Sequence, residues 1–267
     1  MRLSIRHETR YRYDAPSRYG LQRVRLTPRD GAGQRVRAWS LAVEGGRVET
    51  EYDDHHMNRV ALVSLAEGPR ELLLRAEGVV ETEDRAGVVG ETVGFAPPWL
   101  FRRATPATQQ GPGIRRLARG VSGAAQDGGV EALHALMAAI SEAVVYEVGA
   151  TGVDHTAEQA LEAGRGVCQD HAHLFTAAAR LLGYPARYVS GYLCMDARAE
   201  QEATHAWAEA WVAGLGWVGF DVSNGHCPDD RYVRIATGLD YQDAAPTIGL
   251  RYGGGAEALS VALHVEQ

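Results

Sequence analysis

Residues 2–13 alternate without a break: Leu3, Ile5, His7, Thr9, Tyr11 and Tyr13 fall on one side, and Arg2, Ser4, Arg6, Glu8, Arg10 and Arg12 on the other. A period of two predicts a strand with one buried face. Strand-like runs recur at 21–26, 36–43, 60–65 and 71–81, punctuated by Asp30-Gly31, Gly45-Gly46 and Gly68-Pro69. Several short strands joined by regular turns predict an antiparallel β-sandwich over residues 1–83. From 84 to 113 the pattern dissolves into Gly, Pro, Thr and Gln, including Pro97-Pro98 and Gly111-Pro112-Gly113, and this stretch reads as a linker.

Past residue 113 the period lengthens. Val130, Leu133, Leu136, Met137, Ile140 and Val144 recur at steps of three and four, which predicts a core-packing helix. A second helix is expected over 168–182, with Cys168, Ala172, Phe175, Ala179 and Leu182 on one face and Gly183-Tyr184-Pro185 ending it. Strand-like segments return at 186–193, 204–212 and 217–222, the last two joined tightly through residues 214–216, and again at 258–265. Residues 114–267 therefore read as an α+β domain, a central helix against an antiparallel sheet.

Composition narrows the class. A chain of 267 residues, 45% hydrophobic and 23% charged, has the makeup of an ordinary globular protein with room for a core. The net charge of −7 and pI near 5.8 leave no footprint for nucleic acid or an anionic membrane, so neither is expected as a partner. The arginines of the amino-terminal quarter are spaced along strands and read as a solvated face. All 27 basic residues are arginine, so the chain has no lysine amine of its own to offer an acyl group. Three cysteines, Cys168, Cys194 and Cys227, are too few and odd in number for a disulfide framework, which favours a reducing cytoplasm. The amino terminus carries no apolar signal segment, and no apolar run reaches membrane-spanning length.

The candidate chemistry lies around Cys168. A thiol in the first turn of a helix gains from the unpaired N–H groups and the dipole there, which favour thiolate. A base is supplied by His205 at the start of one strand, and a carboxylate by Asp221 at the end of the next, so an antiparallel hairpin sets the two side by side. Glu209, on the same strand face as His205, is a rival for orienting the histidine. A zinc site from Cys168, His171 and His173 fails on helical geometry, because His173 points roughly 140° away from Cys168. His55-His56 and His226-Cys227 read as polar loop groups, and Cys194 and Cys227 as structural. No metal or cofactor is expected.

Gly166-Val167-Cys168-Gln169-Asp170, His205-Ala206-Trp207-Ala208-Glu209 and Gly216-Trp217-Val218-Gly219-Phe220-Asp221 resemble the three motifs of the bacterial transglutaminase-like cysteine protease family. Residues 1–83 resemble the β-rich region that precedes its papain-like core. The resemblance implies a triad of Cys168 as nucleophile, His205 as general base and acid, and Asp221 as its orienter. It implies a thioester acyl-enzyme formed on a peptide or small amide substrate, with the Cys168 backbone N–H as one oxyanion donor. Hydrolysis is favoured over transamidation, because the chain lacks a D-x-D-x-D-G calcium loop; a silent binding module is the remaining alternative. Three positions depart from the pattern: His171 where an aromatic, usually Phe, is common, Val222-Ser223 for Pro-Thr, and His55-His56-Met57-Asn58 for a segment usually containing Gly-Asn.

Overall fold

The computed structural model describes residues 1–91, 94–125, 129–195, 199–253 and 255–267. In chain order the first strands are β1 (Arg2–Tyr13), β2 (Ser17–Thr27), β3 (Gln34–Glu44), β4 (Gly46–Asp53), β5 (Arg59–Leu65), β6 (Glu71–Thr82) and β7 (Val88–Gly90). Helices α1 (Pro112–Val121) and α2 (Glu131–Ala143) follow, then β8 (Val145–Tyr146), α3 (Ala157–Ala163), β9 (Arg165–Gly166) and α4 (Cys168–Leu181). The remainder is β10 (Ala186–Leu193), β11 (Glu200–Gln201), β12 (His205–Val212), β13 (Gly216–Phe220), β14 (Tyr232–Gly238), α5 (Tyr241–Ala244), β15 (Thr247–Gly253) and β16 (Glu257–Glu266). The fold is α+β.

All six inward residues of β1, from Leu3 to Tyr13, are buried, as the alternation requires. Its outward arginines meet the acids of β6: Arg6 lies 3.3 Å from Glu77, Arg12 3.2 Å from Glu71, and Arg10 also pairs with Glu71. Two sheets, ordered β11-β16-β1-β6-β3 and β15-β2-β5-β4, close over Tyr11, Tyr13, Val24, Leu26, Val63, Leu72 and Leu74. A third sheet, β14-β10-β12-β13-β7, carries α4 across one face.

The structure crosses the expected division at 1–83, 84–113 and 114–267 in two places. Strand β16 pairs with β1 along ten residues and β15 pairs with β2, so the end of the chain returns to complete both sandwich sheets. Within 84–113, where Thr92 and Val93 lie outside the described residues, β7 adds an edge to the core sheet beside β13. Phe101 of the same stretch is buried with its ring 5.0 Å from Trp217. The buried guanidinium of Arg180 donates to the carbonyls of Phe101 (2.8 Å), Ala186 (2.9 Å) and Leu239 (2.7 Å) and to Thr108 Oγ1 (2.9 Å), fastening this segment to the core. A stretch without periodicity still orders when distant groups satisfy its backbone.

Helix α4 is buried, as expected of a helix begun at Cys168, and well beyond the single face its apolar residues mark. Residues 170–180 are buried all round, because α1, α2 and α3 cover the side that the sheet leaves open. Phe175 and Ala179 join the helical core with Leu133, Leu136, Ile140 and Phe220. Ala172 instead packs with Leu3, Ile5, Leu263 and Val265 of the sandwich and with Tyr188 and Tyr192 of β10. Cys168 is partly buried against this second cluster, so the nucleophile candidate stands where the sandwich meets the core.

Candidate active site

The turn before Cys168 is set by local capping. Gly164, at φ 65°, ends α3 in the left-handed conformation, and β9 then pairs in parallel with β8. Val167 is extended (φ −111°, ψ −178°), and its N–H donates to Asp170 Oδ2 at 2.8 Å, satisfying one donor at the start of α4. Thr151 Oγ1 donates to the same oxygen at 2.5 Å. Cys168 thus occupies the first helical position, where a backbone N–H has no partner within the helix.

His205 opens β12, and Asp221 immediately follows β13; the β12–β13 pairing brings them together. His205 Nε2 lies 2.6 Å from Asp221 Oδ2. That carboxylate oxygen also accepts from Asn224 Nδ2 (2.7 Å) and from the Tyr232 hydroxyl (2.7 Å). Burial alone would raise the Asp221 pKa, but these donors, His205 first, hold it below the usual carboxylate range. With Nε2 committed to Asp221, Nδ1 is the ring atom left for the thiol. Burial pulls the His205 pKa down, yet the hydrogen bonds with Asp221 and Cys168, and their charges, raise it to about 10. The Trp207 ring stacks beside His205 at 6.2 Å and meets Tyr232 edge-on.

The rival carboxylate is committed elsewhere. Glu209 is fully buried and paired with Arg187 (2.6 Å) and Arg234 (2.9 Å), so its lone pairs go to two guanidinium groups. Among the described residues, His205 stands against Asp221, and the Cys168 thiol acts on the same imidazole. Asn224 and Tyr232 are further members of the site. Asn224 carries a sequence signal, an amide three residues after an aspartate in a turn; Tyr232 arrives from β14 and carries none.

His171 lies one turn beyond Cys168. Its Nε2–H donates to the Val144 carbonyl (3.0 Å), which leaves Nδ1 to accept from Ser223 Oγ (2.9 Å). Burial lowers its pKa and keeps the ring neutral. Two departures from the family pattern, His171 and Ser223, are therefore one contact, and it ties the first turn of α4 to the loop carrying Asp221. His173 is fully buried, and its Nε2 accepts from the Tyr241 N–H at 3.1 Å. Cys194 is buried in the cluster with Tyr192, and burial pushes the Cys227 thiol up; neither joins the site.

A rim of exposed apolar groups lies beside the start of α4. Val145, Tyr146, Val148 and Val153 are exposed on the segment between α2 and α3. Thr151 binds Asp170, and Gln169 Nε2 donates to the Val153 carbonyl at 3.2 Å, so this segment is anchored to the start of α4. Tyr146 pairs in register with Gly166, two residues before the cysteine, and its ring is 6.2 Å from His171.

Residues 115–222 match the model of the transglutaminase-like superfamily, and residues 3–81 match that of the bacterial transglutaminase-like N-terminal region. An uncharacterized protein of Mycobacterium leprae is 31% identical over 99% of this chain and 98% of its own. An uncharacterized Mycobacterium tuberculosis protein is 29% identical over 94% of this chain and 88% of its own. Among solved structures, a Cytophaga hutchinsonii protein proposed to be a cysteine protease superposes with a TM-score of 0.74 at 23% identity, covering 100% of this chain and 89% of that one. The two model matches, in this order and over these residues, with a relative spanning nearly the whole length, place the chain in the transglutaminase-like superfamily, with the bacterial N-terminal region preceding its core.

Proposed function

We propose that the protein is a cysteine-dependent amide or peptide hydrolase. The observation that carries this reading is the 2.6 Å bond between His205 and Asp221, with the Cys168 thiol acting on the same imidazole. The Cys168 thiolate attacks a carboxamide or peptide carbonyl, and the tetrahedral oxyanion forms beside the Cys168 N–H. His205 gives its proton to the departing amine as the C–N bond breaks, leaving a thioester. Water, deprotonated by His205, then attacks the thioester and releases the acid and the thiol. The rim from Val145 to Val153 suits a substrate with an apolar group beside the reacting carbonyl.

Incubation with a peptide library and a free amine, read by mass for chain cleavage, deamidation or amine incorporation, tests the reaction. Cleavage or deamidation that Cys168→Ala abolishes is the expected result. Dominant amine incorporation would reassign the protein as a transamidase. Iodoacetamide alkylation of Cys168 near neutral pH should outpace a model thiol, and a rate no faster would point to a silent binding module.

A further inference from the structure

The β4–β5 turn is where the sandwich touches the far end of the core sheet, and it is held more firmly than a surface hairpin requires. Asp54 Oδ1 accepts from the N–H groups of His56 and Asn58, each at 2.9 Å, and Arg25 Nε lies 3.2 Å from its Oδ2. Asn58 exchanges two 2.8 Å bonds with the backbone of Thr237 on β14. Met57 takes the left-handed conformation at φ 65°, which turns the chain back into β5. This scaffold presents His55 and His56 side by side, ring centroids 4.0 Å apart, next to Asp243 of α5.

One of the three separations already fits a cation. His56 Nε2 and Asp243 Oδ2 are 3.2 Å apart, long for a charge-assisted hydrogen bond, which runs about 2.7–2.9 Å. Two ligands on a tetrahedral ion with bonds of about 2.0–2.1 Å stand about 3.3 Å apart. The His56 side chain is wholly buried, and the ring nitrogen it turns toward the carboxylate is Nε2. Phe101 packs 5.6 Å from the same ring, and the Leu239 N–H donates to Asp243 Oδ2 at 3.0 Å, which orients the carboxylate. The ligand atoms of all three residues lie within 4.8 Å of one another, and His55, which is exposed, is free to swing over the remaining distance.

We propose that His55, His56 and Asp243 form a binding site for a divalent cation of the zinc class, which clamps the sandwich turn to the core. Two imidazoles and one carboxylate are borderline donors that favour zinc and its neighbours over calcium or magnesium. Spacing along the chain could not have indicated the site, because Asp243 lies 187 residues beyond His56.

Zinc titration calorimetry on the full-length Cys168→Ala chain, which removes the active-site thiol as a competing ligand, tests the site. One equivalent should bind. His55→Ala, at an exposed position that carries little of the fold, should weaken that binding by at least about tenfold, and Asp243→Asn should do the same. Zinc should raise the thermal midpoint in a concentration-dependent way, and both variants should lose this rise. No binding, or binding unaltered in both variants, would overturn the proposal.

Discussion

Two carboxylates compete for His205 along the sequence, and hydrogen-bond saturation decides between them. Glu209 is consumed by Arg187 and Arg234, whereas Asp221 Oδ2 faces the imidazole. A His205 pKa raised to about 10 means that the alkaline limb of kcat/KM should lie near that pH. Asp221→Asn removes the leading contribution that raises it, so the limb should move to lower pH and kcat/KM should fall by about 10²–10⁴-fold. Glu209→Gln should lower stability and leave the limb in place. A pH–rate profile of the two variants checks this, and an unmoved limb in Asp221→Asn would exclude the pairing as the source of the shift.

Helix α4 is the element on which the site depends. Its amino-terminal turn carries Cys168, its middle is enclosed by three helices and a sheet, and its far end is pinned by Arg180. The His171–Ser223 bond joins that first turn to the Asp221 loop without passing through His205. Ser223→Ala strands a buried acceptor and should cost about 1–3 kcal/mol. A double-mutant cycle of Ser223→Ala with His171→Phe, read by urea unfolding, should give a coupling of about 0.5–3 kcal/mol. If His171→Phe also leaves kinetics and specificity unchanged, the first turn is positioned without this tie.

At the scale of the whole molecule, the joint between sandwich and core is built from neutral buried histidines as well as apolar side chains. His7 of β1 makes 2.9 Å contacts with Tyr192 of β10 and with Thr9, and burial lowers its pKa to about 4. His173, beneath α5, is lowered by burial to about 4 as well. An unfolded histidine titrates near 6.5, so between about pH 6.5 and 4 the unfolded chain binds more protons and stability falls as pH falls, by at most on the order of 3 kcal/mol per residue. His205 acts in the opposite sense: its raised pKa contributes stability that is complete below about 6.5 and is lost as pH rises through about 10. Urea denaturation at several pH values should therefore show a maximum near neutrality. Stability that increases from pH 7 to pH 5 would contradict the burial of His7 and His173.

Local periodicity and motif spacing determined a good deal by themselves: the alternation of β1, the helix beginning at Cys168, the hairpin carrying His205 and Asp221, and the α+β class. These are legible because side-chain direction repeats every two residues in a strand and about every 3.6 in a helix, so one face can be read from neighbours in the chain. Only the tertiary structure returned β15 and β16 to the sandwich, enclosed α4 on every side, ordered Phe101 and Thr108 through Arg180, committed Glu209 to two arginines, and set Asp243 beside His56. Each of these joins residues far apart in the chain, where pairing is decided by which partner satisfies a buried donor, acceptor or charge, and local pattern carries no record of that choice.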